Sequence, residues 1–430
     1  MEPGTLLDVD VERPAAGGRM IARHRGRVVL VSGAIPGERV RARVERMKGG
    51  AVLAAVVDVL DASPDRRAWN PDPACGGMGY AHIAAPRQCQ LKAEVIADAF
   101  SRIARLALPS VPAVAASPDR GYRLRARLHV RLGRLGSFRE GTHDVCDPAV
   151  TGQLLPETLS VLERLAEAIR GAGVSRLEAI EVAENLPADA RVVHVTHGRD
   201  DERALAALAA LAAVEGVTGL TASPWPSGRL RAVSGTPWVS DPLSRLVPAA
   251  PGLAQYVLRR HAPAFFQANR YLVPLLAERV VAHLEPGPLI DLYAGVGLFA
   301  LSAAALGRGP VTAVEADALS ATDLAANARP FRDVVRVVET PVEAFLATTP
   351  RPAVRTLIVD PPRTGMSRAA LDRIVAARAP RLCYVSCDVA TLARDARRLT
   401  EAGYALTHLE AFDLFPNTPH VESLAVFSAR

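Results

Sequence analysis

The chain has 430 residues, 49% hydrophobic and 22% charged, proportions that exclude a disordered or fibrous protein. Its formal net charge of +6 is unevenly spread: residues 1–150 hold 23 Lys and Arg against 16 Asp and Glu, and the rest 28 against 29. No apolar run approaches the roughly 18 residues that span a bilayer, and the N-terminus MEPGTLLDVDVERP lacks the apolar core of a signal peptide, so a cytoplasmic protein with no membrane association is expected.

Residues 1 to about 60 contain five short alternating or apolar runs, separated by Gly17-Gly18, Gly26, Pro36-Gly37 and Gly49-Gly50. This is the pattern of strands and turns in a small OB-like β-barrel, a common nucleic-acid platform. Arg39, Arg41 and Arg43 recur at period two and so share one face; a solvated strand face accounts for them as well as an RNA contact does. Only Lys48 and Lys92 are lysines, so nearly every cation is a guanidinium that can fork onto phosphate and stack on bases. A GC-rich genome would explain the preference for Arg, but not the concentration of positive charge in the first third. An anionic polymer such as RNA fits that polarity.

A Pro-rich turn, Ser63 to Pro73, closes the barrel region. Helical pattern follows over Gln88 to Leu106 and Leu154 to Arg170, with strands expected at Tyr122 to Gly133, Ala190 to His197 and Leu230 to Val239. The Ala/Leu stretch Ala204 to Val214 reads as a buried helix, and Pro224 to Gly228 as a turn-rich loop. Arg123, Arg125 and Arg127 line one face of the YRLRARLHV strand, a candidate wall of an RNA groove. From about Pro263 short apolar strands alternate with helices, which predicts a doubly wound parallel α/β sheet with its site at the carboxyl ends of the strands. The expected organisation is a barrel over 1–60, a central α+β domain over 61–262, both binding RNA, and a Rossmann-like catalytic domain over 263–430.

Four motifs in that last region carry chemistry. In LIDLYAGVGLFAL, Gly295 and Gly297 make a tight turn from strand to helix, and Glu315 ends the next strand 18 residues after Gly297. A glycine turn followed by an acidic strand end is the pattern of an adenosine site, with the acid near the ribose. The third glycine of dinucleotide fingerprints is missing, so S-adenosylmethionine fits better than NAD. In DPPRTG, Asp360 ends a third strand at a proline-stiffened turn. In YVSCD, Cys383 lies inside a strand as a small core residue, while Cys387 sits at the strand end, where a thiol can act as a nucleophile or be merely structural. In FPNTPHVES, Glu422 is either a general base or a solvated loop carboxylate.

Taken together, FFQANR (Phe265 to Arg270), DLYAGVGLF, DPPRTG, YVSCD with TLARD, and FPNTPHVE occur in an order that resembles the RNA uridine-5-methyltransferase family. Residues 1–60, with IPGERV, resemble its TRAM domain, and Cys75 to His82 its CGGC segment. The resemblance implies that Gln267, Tyr293, Glu315 and Asp360 contact S-adenosylmethionine, that Cys387 is the nucleophile and that Glu422 accepts the proton. It implies an RNA substrate, ribosomal favoured over transfer RNA, and a monomer is the default. Some members bind an iron–sulfur cluster on four cysteines. Here Cys75 and Cys146 match two of them while Trp69 and Met78 occupy the others, so no cluster is expected. Asp388 stands where Asn is common, and its charge would disfavour a neighbouring thiolate unless turned away or paired. Leu298 replaces an Asn found in some members, so one cofactor contact is expected to be missing. Two rivals remain: an RNA methyltransferase acting on an exocyclic nitrogen, which would not need Cys387 or Glu422, and a non-catalytic RNA-binding protein.

Overall fold

A computed structural model describes residues 1–69, 71–172, 177–198, 208–225, 228–248, 251–349 and 353–430. The chain divides into two compact units. One comprises Met1–Asp119, Cys387–Arg397 and Glu410–Ser423, and the other Arg120–Ser386, Arg398–Leu409 and Leu424–Arg430.

In the first unit, β1 (Leu6–Pro14), β2 (Met20–His24), β3 (Arg27–Ser32), β4 (Arg39–Lys48) and β5 (Ala51–Asp61) form the expected closed barrel, in the order β1-β2-β3-β5-β4. Alternation builds it: Leu7, Val9 and Val11 point inward with Val29, Val31, Val40, Ala42 and Val44, while Asp8 and Arg41 face out. Arg41 forks onto Asp8 at 2.8 and 3.0 Å, so one of the three period-two arginines is paired across to β1. The chain leaving the barrel is tied back by buried Glu38, whose carboxylate accepts from Ile35 N, Ser63 N and the Arg66 guanidinium. The helix Ala85–Ala99 follows, with Pro86 in its first turn, and Leu91 on its buried face packs with Tyr80 and Ile83 into the barrel core. It continues as a π-helical turn, Phe100–Ala104, ended by left-handed Arg105. In the same unit the short β6 (Val114–Ala115) pairs with Ala411 and Phe412.

The second unit holds β7 (Arg125–Arg131), β8 (Arg134–Phe138), β9 (Val145–Cys146), β10 (Leu177–Glu184), β11 (Arg191–His197), β12 (Gly219–Pro224) and β13 (Arg231–Gly235), in a sheet ordered β13-β12-β11-β10-β7-β8-β9. The helix Pro156–Gly171 buries Val161, Leu162, Leu165 and Ile169 against it. Leu230 to Val239 is two strands rather than the single one expected: Gly235 takes φ +61 and Pro237 cannot donate to a ladder, so β13 stops and β14 (Trp238–Pro242) pairs with β15 (Val257–His261) instead. Residues 204–207 and part of the Pro224–Gly228 loop lie outside the described residues; residues 208–212 are helical, with Leu208 and Leu211 buried.

The doubly wound sheet comprises β16 (Leu289–Leu292), β17 (Val311–Glu315), β18 (Val335–Glu339), β19 (Thr356–Val359), β20 (Arg381–Ser386), β21 (Tyr404–Phe412) and β22 (Glu422–Ala429), in the order β18-β17-β16-β19-β20-β22-β21. Strands β18 through β20 of that order are parallel. Their near-continuous burial is what a sheet covered on both faces requires. Among the described residues no helix is long and apolar enough to cross a membrane.

Candidate active site

The turn after β16 has three left-handed residues: Tyr293 at φ +63, Gly295 at φ +56 and Gly297 at φ +101. The two glycines serve different ends. A Cβ on Gly297 would lie 2.7 Å from Leu324 Cδ1 and 3.0 Å from Leu301 Cδ1, so this position is demanded by helix packing. A Cβ on Gly295 would meet nothing closer than the Phe265 carbonyl oxygen at 3.9 Å. Its backbone faces open space, as close ligand approach requires. Leu298 is buried as the first residue of the helix Leu298–Ala305.

Three carboxylates surround this turn. Asp291 is fully buried; its Oδ2 accepts from Ala300 N at 2.9 Å, bracing the helix start, and its Oδ1 has no hydrogen-bond partner. Burial, then the Asp360 and Glu315 charges, push its carboxyl well above the ordinary range. Asp360, just beyond β19, accepts from Gln267 Nε2 at 3.1 Å. Burial pushes it up to about 7, with the Gln267 hydrogen bond pulling the other way. Glu315 accepts from Gly295 N at 2.7 Å with one oxygen, and from Ala316 N and Asp317 N at 2.8 and 2.7 Å with the other. It therefore locks the glycine turn to the end of β17, a task its position alone did not announce.

The rest of FFQANR is scaffolding. Asn269 Oδ1 accepts from Tyr271 N and Leu272 N at 3.0 and 3.2 Å. Arg270 bonds to buried Glu184, which also holds Arg191. These anchors aim Gln267 at Asp360. A further support missed from sequence is Asn327, which accepts from Arg259 N at 2.9 Å and donates to Val296 O at 3.0 Å, joining β15 to the glycine turn. Gln267, Tyr293, Gly295, Gly297, Glu315 and Asp360 all belong to the second unit.

Cys387 and Glu422 belong to the first unit. Cys387 is a half-buried cysteine outside any disulfide, between β20 and the helix Val389–Glu401. Cys383, inside β20, is fully buried, and burial pushes its thiol up to about 12, as a core residue requires. Asp388 Oδ1 accepts from Thr391 N at 2.8 Å, the geometry of a helix N-cap. One carboxylate oxygen of Asp388 thus caps the helix end, while its charge remains next to Cys387 in the chain. Glu422 is 2% exposed and opens β22.

A donor set of three carboxylates around an open glycine turn suits a ligand with positive charge and hydroxyl groups. The tRNA (Uracil-5-)-methyltransferase family matches residues 254–430, and the TRAM domain matches residues 1–57. The chain is 33% identical over 441 residues to the 23S rRNA (uracil(1939)-C(5))-methyltransferase RlmD of Pseudomonas putida, covering 99% of this chain and 94% of that one. A Streptomyces avermitilis protein described as an uncharacterized RNA methyltransferase is 31% identical, covering 98% of each chain. The crystal structure of the Pyrococcus abyssi tRNA (uracil-54, C5)-methyltransferase with S-adenosyl-L-homocysteine superposes with a TM-score of 0.76 at 22% identity, covering 97% of this chain and 99% of that one, which establishes a shared fold.

Proposed function

The chain belongs to the RNA (uracil-C5)-methyltransferase family, and from that premise we propose that it methylates carbon 5 of a uridine in 23S rRNA, with transfer RNA the less favoured target. It acts in the cytoplasm as a monomer. The observation that carries the reading is the Gln267–Asp360 hydrogen bond beside an open Gly295 turn, within a chain alignable along its length to a ribosomal uracil methyltransferase.

S-adenosylmethionine supplies an electrophilic methyl group on a sulfonium. The protein's residues supply the rest. Glu315 and, once ionised, Asp360 give the cofactor pocket its negative potential, Asp291 braces the helix start, Gln267 orients Asp360, and Tyr293, Gly295 and Gly297 shape the turn. Carbon 5 of uracil is a weak nucleophile until a group adds to carbon 6. The Cys387 thiolate, next to the N-terminus of a 13-residue helix that favours negative charge, adds there and makes carbon 5 enolate-like. Once carbon 5 has taken the methyl, Glu422 removes its proton, the electrons expel Cys387 from carbon 6, and the aromatic ring returns. The barrel and the region over 61–262 hold the RNA while the target base is turned out of its stack.

The test is transfer of labelled methyl from S-adenosylmethionine to unmodified 23S rRNA and tRNA, followed by nucleoside analysis, with Cys387→Ala beside the wild type. Label in 5-methyluridine of 23S rRNA, lost in the variant, is the expected result. Label on an exocyclic nitrogen that survives the variant would overturn the Cys387 mechanism. RNA binding without any transfer would reduce the protein to an RNA-binding role.

A further inference from the structure

The loop between β21 and β22, Asp413 to Val421, ends at Glu422. It is held by side chains from the N-terminal part of the same unit. Lys92, 1% exposed, donates to Asp413 Oδ1 at 2.5 Å and to the Phe415 carbonyl at 3.1 Å. Gln88 Oε1 accepts from Asn417 N at 2.8 Å, and Gln88 Nε2 donates to Asn417 Oδ1 at 3.0 Å as well as to Tyr80 O and Ile83 O. Arg67 donates to the same Asn417 Oδ1 at 2.6 Å. Asn417 in turn accepts at its carbonyl from Tyr80 N at 2.8 Å. Three residues before Glu422, Pro419 packs on the bare Cα of Gly18 in the β1–β2 turn, where a Cβ would stand 2.7 Å from Pro419 Cγ.

A loop that only joined two strands would not need this. Burying a Lys–Asp pair is no more stabilising than filling the space with apolar side chains, but it is far more directional. The reciprocal amide pair on Asn417, itself left-handed at φ +65, likewise fixes one loop conformation. We propose that Gln88, Arg67, Lys92, Asp413 and Asn417 are positioning residues for the proposed reaction: they hold Glu422 where it can take the carbon-5 proton. The barrel and its following helix thereby contribute to chemistry as well as to RNA binding. This inference builds on the methyl-transfer mechanism above.

A badly placed base has a specific signature. Addition of Cys387 and methylation of carbon 5 precede proton removal, so a loose Glu422 leaves the methylated RNA bonded to the protein. The experiment uses the full chain and an unmodified 23S rRNA transcript, with Gln88→Met and Asn417→Gly, the latter tolerating the left-handed backbone. The turnover number should fall about ten- to hundredfold, KM for S-adenosylmethionine should stay within about twofold, and a methylated protein–RNA adduct resistant to denaturation should accumulate. Where either variant melts early, Arg67→Met removes one donor to Asn417 Oδ1, together with the Arg67 bonds to Asp119 and the Ala81 carbonyl, and leaves the Gln88–Asn417 pair in place; the same adduct should appear at lower yield. Wild-type turnover in folded variants, or lost turnover without adduct, would overturn the proposal. A transcript carrying 5-fluorouridine separates the two readings, because fluorine at carbon 5 blocks proton removal whatever the loop does. Absence of a wild-type adduct there would overturn the methyl-transfer mechanism itself.

Discussion

Gln267 and Asp360, 93 residues apart in the chain, meet in a hydrogen bond of 3.1 Å, and through it the FFQANR and DPPRTG motifs become one surface. Gln267 is aimed by backbone-capping Asn269 and by Arg270 buried on Glu184. Asp360 sits at the carboxyl end of a parallel strand, among two other carboxylates. Burial raises the Asp360 and Asp291 carboxyls, which makes the titration of this site measurable.

The Asp360 carboxyl, raised to about 7 by burial, is protonated in the folded chain over a range where the unfolded chain has lost that proton. At this group the folded state therefore binds more protons, and its contribution to stability rises as pH falls from about 7 towards the ordinary carboxylate range near 4. Asp291, raised still further by burial, acts in the same direction. His82 and His194, pulled down to about 4 by burial, instead contribute a loss as pH falls through about 6.5. In thermal melting of the ligand-free protein, the Tm of the wild type should gain on that of Asp360→Asn between pH 8 and pH 6, since both keep the buried histidines and only the wild type keeps the raised carboxyl. The ligand effect has the opposite sign. A sulfonium favours ionised Asp360, so affinity for S-adenosylmethionine should fall as pH drops below about 7, by at most about tenfold per unit. S-adenosylhomocysteine, which lacks the charge, should show a shallower dependence by calorimetry.

The two turn glycines should respond differently to the same substitution. At Gly297 an added Cβ would press on Leu324 and Leu301, and overpacking of this sort costs about 1–3 kcal/mol, with a further backbone penalty of about 1–2 kcal/mol for the left-handed conformation. At Gly295 the neighbouring space is open, so only the backbone penalty applies. Gly297→Ala should depress Tm the more, and Gly295→Ala should depress cofactor affinity out of proportion to its Tm. Similar losses of affinity per degree of Tm in both variants would reject the distinction.

Much of this was legible in the sequence for physical reasons. The barrel was readable because alternation at period two and glycine turns are local signals. The sheet was readable because buried parallel strands are short apolar runs, and the site because its carboxylates stand at strand ends. What was not legible depends on pairs of single residues far apart. Lys92 and Asp413 are 321 positions apart and belong to no repeated pattern, so their burial as a pair could not be foreseen. The same holds for Gln88 with Asn417. Glu315 shows a subtler gap: its acidity pointed to a ribose, while its oxygens also hold Gly295 N, Ala316 N and Asp317 N. The break between β13 and β14 was marked by Gly235 and Pro237, but the surrounding apolar pattern outweighed them.

Removing one half of the Lys92–Asp413 pair should be worse than removing both. Burial pulls Lys92 down and Asp413 up, each against its partner's charge. Lys92→Met alone leaves a buried carboxylate without its cation, a loss of about 3–5 kcal/mol. The double variant Lys92→Met/Asp413→Leu replaces the pair with apolar side chains and should recover most of that loss in chemical denaturation. A double variant no more stable than the single one would show that Lys92 acts mainly through the Phe415 carbonyl.

Iron content is the simplest expectation to check. At the two cluster positions without cysteine, Met78 is 1% exposed and Trp69 lies under the Arg67 guanidinium, 5.3 Å from its ring centroid. Neither side chain supplies a thiolate, the ligand on which four-iron clusters depend. Protein purified and handled without oxygen should show no absorbance band near 400 nm and far less than one iron per chain. A stoichiometric cluster would mean that other donors take these places.

Asp388 offers the last test, because its two possible effects separate. As an N-cap accepting from Thr391 N at 2.8 Å, it stabilises the helix that begins beside Cys387; as a charge, it opposes a thiolate at the adjacent residue. Asp388→Asn keeps the capping oxygen and removes the charge, so stability should change by only a few tenths of a kcal/mol, since Asn and Asp cap about equally. Asp388→Ala removes both and should cost about 0.5–2 kcal/mol. If the capping bond holds the carboxylate away from the thiol, the pH profile of methyl transfer should be the same for Asp388→Asn as for the wild type. An acid limb displaced to lower pH in Asp388→Asn would show instead that the charge reaches Cys387 and sets the pH at which the nucleophile forms.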